Sequence, residues 1–96
     1  MKKYASDINQ TRKKMKIKEH IIYFKSYEPF FSKERKGIKN NTVRTLEEHE
    51  RQELIGSMDD LEYIGIISVE TGLTFIRSIQ DISFFEDLTI FTWETI

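Results

Sequence analysis

The chain has 96 residues, with 15 Lys and Arg against 16 Asp and Glu, a formal net charge of −1 and no cysteine. That length supports one domain with a modest core, and the missing cysteine excludes a disulfide framework and thiolate chemistry. No apolar run reaches the roughly 18–20 residues of a membrane-spanning helix, and the N-terminus lacks the apolar centre of a secretion signal, so the expected setting is a reducing cytoplasm with no membrane partner.

The near-neutral total hides a division. Residues 1–44 hold 13 basic and four acidic residues, whereas residues 45–96 hold two basic residues, Arg51 and Arg77, and 12 acidic ones. Such asymmetry suits a basic surface for polyanions. The alternative is that strands from the two halves pair and the charges close on one another.

Residues 1–18 are polar and rich in lysine, and read as a basic N-terminal arm that is either frayed or an electrostatic tether to nucleic acid. The folded domain is then expected over 19–96. Glu19–Lys25 is a strand whose continuous β-branched and aromatic run predicts burial on both faces. His20 reads as a hydrogen-bonded structural residue. Tyr27–Lys36 is a short amphipathic helix, with Pro29 and Glu28 in its first turn and Lys33, Arg35 and Lys36 in its last. Tyr27, Phe30 and Phe31 form its expected buried face. Gly37 ends it in the left-handed conformation that a Cβ disfavours.

The stretch Gly37-Ile-Lys-Asn-Asn-Thr-Val-Arg44 is the strongest binding signal in the chain. If Val43 faces the core of a strand over Thr42–Leu46, the two-residue period turns Thr42 and Arg44 together to the other face, near Lys39. Two cations and a hydroxyl then converge, which suits a phosphate or nucleotide; the plain alternative is a solvated polar loop.

Glu47–Met58 is a second helix, with Thr45 and Glu48 as its capping box and Leu54, Ile55 and Met58 on its inner face. His49 and Glu53 stand one turn apart but lack a third ligand by spacing, so no metal site is expected. Asp59-Asp60 make a turn. Glu62–Val69 and Leu73–Ile82 form a hairpin in which Gly72 takes a positive φ, and Gly65 marks a bulge or bend. Ser83–Asp87 is a connection, and Leu88–Trp93 is the last strand, with Phe91 and Trp93 in the core or one of them lining a base-stacking cleft. The order βαβαβββ is an antiparallel-dominated α+β domain, most simply a small, partly open barrel of about five strands with two helices.

The pattern Gly37-x-Lys39-x-x-Thr42-x-Arg44 resembles the signature loop of ASCH domains, a branch of the PUA-like β-barrel superfamily. The run Glu28–Gly37 and the later Ser68–Gly72, Ile79–Ile82 and Thr89–Trp93 resemble small phage-encoded members, so the likeness covers roughly Ile17 to Glu94. It implies a PUA-like barrel, phage or prophage origin, and residence in the host cytoplasm. It also implies RNA or nucleotide binding by Lys33, Lys36, Lys39, Asn40, Asn41, Thr42 and Arg44, with no cofactor. Some ASCH proteins are amidohydrolases that deacylate acetylated cytidine with a Lys, a Thr and a Glu. Lys39 and Thr42 match two of these as candidate catalytic residues, while Glu86 lacks the matching context for the third. A further expectation is a phage protein that docks on a host protein through the acidic second half, around Glu47, Glu48, Glu50 and Glu53.

Overall fold

The computed structural model describes residues 15–94. Within them the chain forms strands β1 (Met15–Lys18) and β2 (Ile21–Ser26), helix α1 (Phe30–Arg35), strand β3 (Asn41–Thr45), helix α2 (Glu48–Ser57), a 3₁₀ turn (Met58–Asp60), and strands β4 (Tyr63–Ser68), β5 (Thr74–Phe85) and β6 (Leu88–Trp93). The strands make one open sheet in the order β1-β2-β4-β5-β6-β3. Only β2 and β4 run parallel; every other pair is antiparallel.

The expected α+β class and mostly antiparallel sheet are present, with six strands rather than five. The added strand is β1, which takes Met15–Lys18 out of the stretch read as an arm and pairs it with β2; residues 1–14 lie outside the described residues. The expected connection over Ser83–Asp87 shrinks to Glu86 and Asp87, because β5 continues to Phe85 and pairs with Leu88. Both two-residue hairpin turns place a glutamate at positive φ, Glu19 at 59° and Glu86 at 56°. Neither is a usual turn residue there, which is why the turns were hard to find in the sequence.

The core lies on one face of the sheet. Ile22 and Phe24 of β2, Ile64 and Ile66 of β4, Phe75 of β5, and Phe91 and Trp93 of β6 are buried, together with Phe31 of α1 and Leu54 of α2. Strand β2 therefore alternates. Ile22, Phe24 and Ser26 face inward while Lys25 is exposed and Ile21 and Tyr23 are half-exposed, so the expectation of burial on both faces fails. Phe91 packs against Phe24 in a tilted pair at 4.9 Å and Trp93 meets Phe75 at 6.3 Å, which assigns both β6 aromatics to packing rather than to a base-stacking cleft.

The helices are shorter and less amphipathic than expected. In α1 only Phe31 and Glu34 are buried, and Tyr27 and Phe30 face solvent. The helix closes on Gly37, at φ 81°, in a Schellman arrangement: Ile38 N–H donates to the Lys33 carbonyl at 3.0 Å and Gly37 N–H to that of Glu34 at 3.3 Å. In α2 the capping box lies two residues beyond the expected one, between Glu47 and Glu50. Leu54 is fully buried, but Ile55 is exposed because α2 meets the sheet along a narrow stripe.

Gly65 is not the bulge; the irregularity falls between Ile79 and Asp81, where β5 passes from the β4 side of the sheet to the β6 side. The glycine answers a different need. Tyr23 pairs with it across the β2–β4 ladder, and a Cβ at position 65 would stand 2.6 Å from Cδ1 of that ring. The ring must swing off the strand to admit even an alanine. Gly65→Ala is expected to cost about 1–2 kcal/mol in urea denaturation, in the range of overpacked sites. The cost should largely vanish in a Tyr23→Ala background; an undiminished loss there would show that the ring is not the obstacle.

His20 sits in the β1–β2 turn and donates from Nδ1 to the Asp60 carbonyl at 2.9 Å, the structural role expected of it. That hydrogen bond holds the imidazole pKa above its ordinary 6.5; burial opposes the rise, and the charges of Glu62, Asp60 and Glu19 add to it. A raised histidine pKa favours the folded state fully below the unfolded value, and the contribution fades as pH rises through the folded value. Stability should therefore fall slightly as pH climbs from about 6 to 8, and His20→Gln should flatten that slope. A slope unchanged by the substitution assigns it to other groups.

Candidate functional site

Two adjacent polar positions end the inward-facing rows of the central strands, Ser26 on β2 and Ser68 on β4, paired in register. Over them lies the carboxylate of Glu34, which faces inward because it follows Phe31 by three residues on α1 and shares its stripe. Glu34 is 1% exposed. Its Oε1 accepts from Ser26 Oγ at 3.1 Å, and its Oε2 accepts from Lys39 Nζ at 3.2 Å. A carboxylate this deep is costly without such partners.

Lys39 reaches that carboxylate from the loop after Gly37. Nζ also donates to the Asn41 carbonyl, and the side chain remains 29% exposed. The lysine thus bridges the buried glutamate and solvent. Both contacts use Nζ as a donor.

Thr42 and Arg44 share a face of β3, as the alternation requires, but it is the inner one. Val43 is 49% exposed and Thr42 only 3%, the reverse of the expected orientation. The polar side chains of β3 find partners on the inner side, and a valine on an edge strand tolerates solvent. Arg44 Nε donates to Thr42 Oγ1 at 2.9 Å, its Nη1 donates to the Lys25 carbonyl at 2.9 Å, and the guanidinium lies 4.8 Å from the Phe24 ring centroid. Burial pushes the arginine pKa down while the charge of Glu34 opposes that shift; a guanidinium stays cationic at neutral pH.

The structure therefore gathers Lys39, Thr42 and Arg44 on one side of the sheet, near Glu34. Asn41 contributes its carbonyl to Lys39, and the Asn40 carbonyl accepts from Trp93 N–H at 3.0 Å. Lys33 on α1 and Lys36 at its C-cap are exposed. Glu86, by contrast, occupies the β5–β6 turn and is exposed. The residues that sequence reasoning missed are Glu34, Ser26 and Phe24. The signal for Glu34 was its three-residue spacing from Phe31; the signal for Ser26 was the alternation of β2.

His49 stands 3.5 Å from Glu47 rather than beside Glu53, in an exposed pair. Among the described residues no group of three or more His, Asp or Glu side chains is placed to hold a metal ion, and no helix is long and apolar enough to cross a membrane. Comparison with known proteins finds no matching family model, curated relative or solved structure.

Proposed function

We propose that the protein is an ASCH-like, PUA-like module that binds RNA or a nucleotide through Lys39, Thr42 and Arg44, with Lys33, Lys36, Asn40 and Asn41 extending the surface. The observation that carries this reading is the buried Glu34 with its retinue of polar partners. A domain with so small a core gains little from enclosing a carboxylate, two cations and two hydroxyls, since apolar residues of the same volume stabilise at least as well. Such clusters concentrate at functional sites, where fixed charges are held in place for a ligand. The Arg44 side chain also reaches from β3 to the Lys25 backbone of β2, two strands that share no ladder. That reach supports a curled, barrel-like sheet of the PUA kind.

The test is fluorescence anisotropy of labelled RNA 12-mers, together with competition by nucleoside mono- and triphosphates. Lys39→Gln and Arg44→Gln are expected to weaken binding at least tenfold, with a steep fall in affinity as salt rises. Circular dichroism melts of the same variants separate a folding defect from a lost contact. Salt-independent binding, or no affinity of the folded protein for RNA or nucleotides, ends this reading.

A second reading has one observation in its favour: Glu34 places a carboxylate on Lys39, the group the sequence did not supply for an amidohydrolase. Thr42 would be the nucleophile and Lys39 the base that takes its proton. Lys39 must first give up its donor role to Glu34 and Asn41, which favours binding over hydrolysis. Incubation with a panel of acylated nucleosides decides between them, and turnover no greater than that of Lys39→Ala removes the enzyme.

A further inference from the structure

We propose that the outer face of the β1–β2–β4–β5 half of the sheet is a stacking platform for single-stranded nucleic acid, separate from the Lys39–Arg44 site and independent of its function. The strand registers define the face. Lys16 pairs with Tyr23, Tyr23 with Gly65, and Gly65 with Ile76, so these four form one row across four strands. The next row holds Lys18, Ile21, Tyr63 and Ser78, and Lys25 heads a third. All alternate with the buried residues of the same strands, and the helical residues that join the core, Phe31 and Leu54, lie on the opposite side. Among the described residues, no helix covers these rows.

Two features favour nucleic acid over other occupants. The first is chemistry. Lys16, Lys18 and Lys25 are exposed, no Asp or Glu stands in the three rows, and Tyr63 and Ile76 are 39% and 43% exposed. Cations beside the exposed Tyr63 ring and the half-buried Tyr23 ring match a strand of stacked bases with a phosphate backbone, and such binding is tolerant of sequence because every base has a π-face. The second is shape. The Tyr23 ring leans across Gly65 into the space a Cβ would fill, so the surface at the middle of the row stays low and free of protruding side chains. With strands about 4.8 Å apart, the row from Lys16 to Ile76 spans roughly 14 Å, room for two or three nucleotides. A duplex would need an element that enters a groove, and this face offers none.

The experiment uses the full chain and a fluorescein-labelled oligouridine 12-mer. Every variant retains residues 1–14, so their charge cancels from the comparisons. Reversal of Lys16, Lys18 and Lys25 to Glu together is expected to weaken binding at least tenfold. Tyr63→Leu should weaken it about fivefold to tenfold, whereas Tyr63→Phe, which keeps the ring, should stay within about twofold, as expected when stacking carries the affinity. Gln52→Ala, on α2 at the opposite face of the sheet and in neither site, should leave oligouridine affinity within about twofold. The proposal is overturned if folded wild-type protein does not bind the oligomer, or if charge reversal leaves affinity unchanged. It is also overturned if the face binds anionic phosphatidylserine vesicles in place of RNA. Binding that survives the triple charge reversal but is lost in Lys39→Gln would instead assign RNA to the other site.

Discussion

Glu34→Ala is expected to destabilise the protein by about 3 kcal/mol, measured by urea denaturation at neutral pH. The carboxylate has side-chain exposure of 2% and takes one hydrogen bond on each oxygen, from Ser26 and Lys39. Its removal leaves the Ser26 hydroxyl unsatisfied in the core and strands an ammonium group at the core boundary. The partial exposure of Lys39 lets water recover part of that loss, which keeps the figure at the lower end of the range for broken buried pairs. Glu34→Met combined with Lys39→Met should restore stability to within about 1 kcal/mol of wild type, since apolar side chains of similar length fill the same space without the desolvation cost. Binding should stay lost in the double variant. Recovery of stability without recovery of binding is the signature of a cluster kept for a ligand. A loss below about 1 kcal/mol for Glu34→Ala would mean that the pair is solvated in solution.

Arg44→Met should cost about 2 kcal/mol, the second largest of the expected effects. The change removes hydrogen bonds to Thr42 and to the Lys25 carbonyl, each worth about 1 kcal/mol, and the stacking on Phe24, worth about 0.5–1 kcal/mol. Relief of the desolvation that depresses the arginine pKa offsets part of this. Arg44→Lys should recover no more than about half, because a point charge cannot serve Thr42, the Lys25 carbonyl and the Phe24 ring at once. Amide exchange provides the local readout. In Arg44→Met the amides of β3 should exchange faster, since this edge strand has only β6 as a ladder partner. Unchanged protection there would show that β6 alone holds β3.

The elements with a strong local signal were legible in the sequence. Gly37 and Gly72 have the positive φ expected of them, at 81° and 79°, because few other residues take that conformation cheaply. The alternation of Leu88–Trp93 matches the buried set Thr89, Phe91 and Trp93. Thr42 and Arg44 do fall on a common side, as the two-residue period of a strand requires, and Lys39 joins them from the preceding loop.

Tertiary context decided the rest. Hydrophobicity favours Val43 facing inward, yet Thr42 and Arg44 take the inner face, where Arg44 meets the Lys25 carbonyl and the Phe24 ring of β2. No reading of residues 37–44 alone contains those partners. Strand β1 was hidden by its lysines, which face solvent while Met15 and Ile17 pack inward. The extension of β5 to Phe85 was masked by a turn built on Glu86 rather than glycine, and the bulge was assigned to Gly65 because nothing in the sequence marks the position between Ile79 and Asp81.

The long-range pairings set the order in which this molecule can assemble. Each antiparallel neighbour in the β4–β5–β6 meander closes across a short turn, whereas Ile21 must find Tyr63, and Thr45 must find Leu88, about forty residues away. Closing a loop of that length costs roughly 2–3 kcal/mol more chain entropy than closing a two-residue turn. The meander is therefore the natural nucleus, and the β1–β2 hairpin joins it late in the folding reaction. Ser26 lies at the far end of that late-arriving hairpin, so the Ser26–Glu34–Lys39 constellation is completed only in the last cooperative step. In folding kinetics, Ile22→Val should chiefly speed unfolding, while Ile66→Val should slow refolding; the opposite pattern would place the parallel pairing in the nucleus.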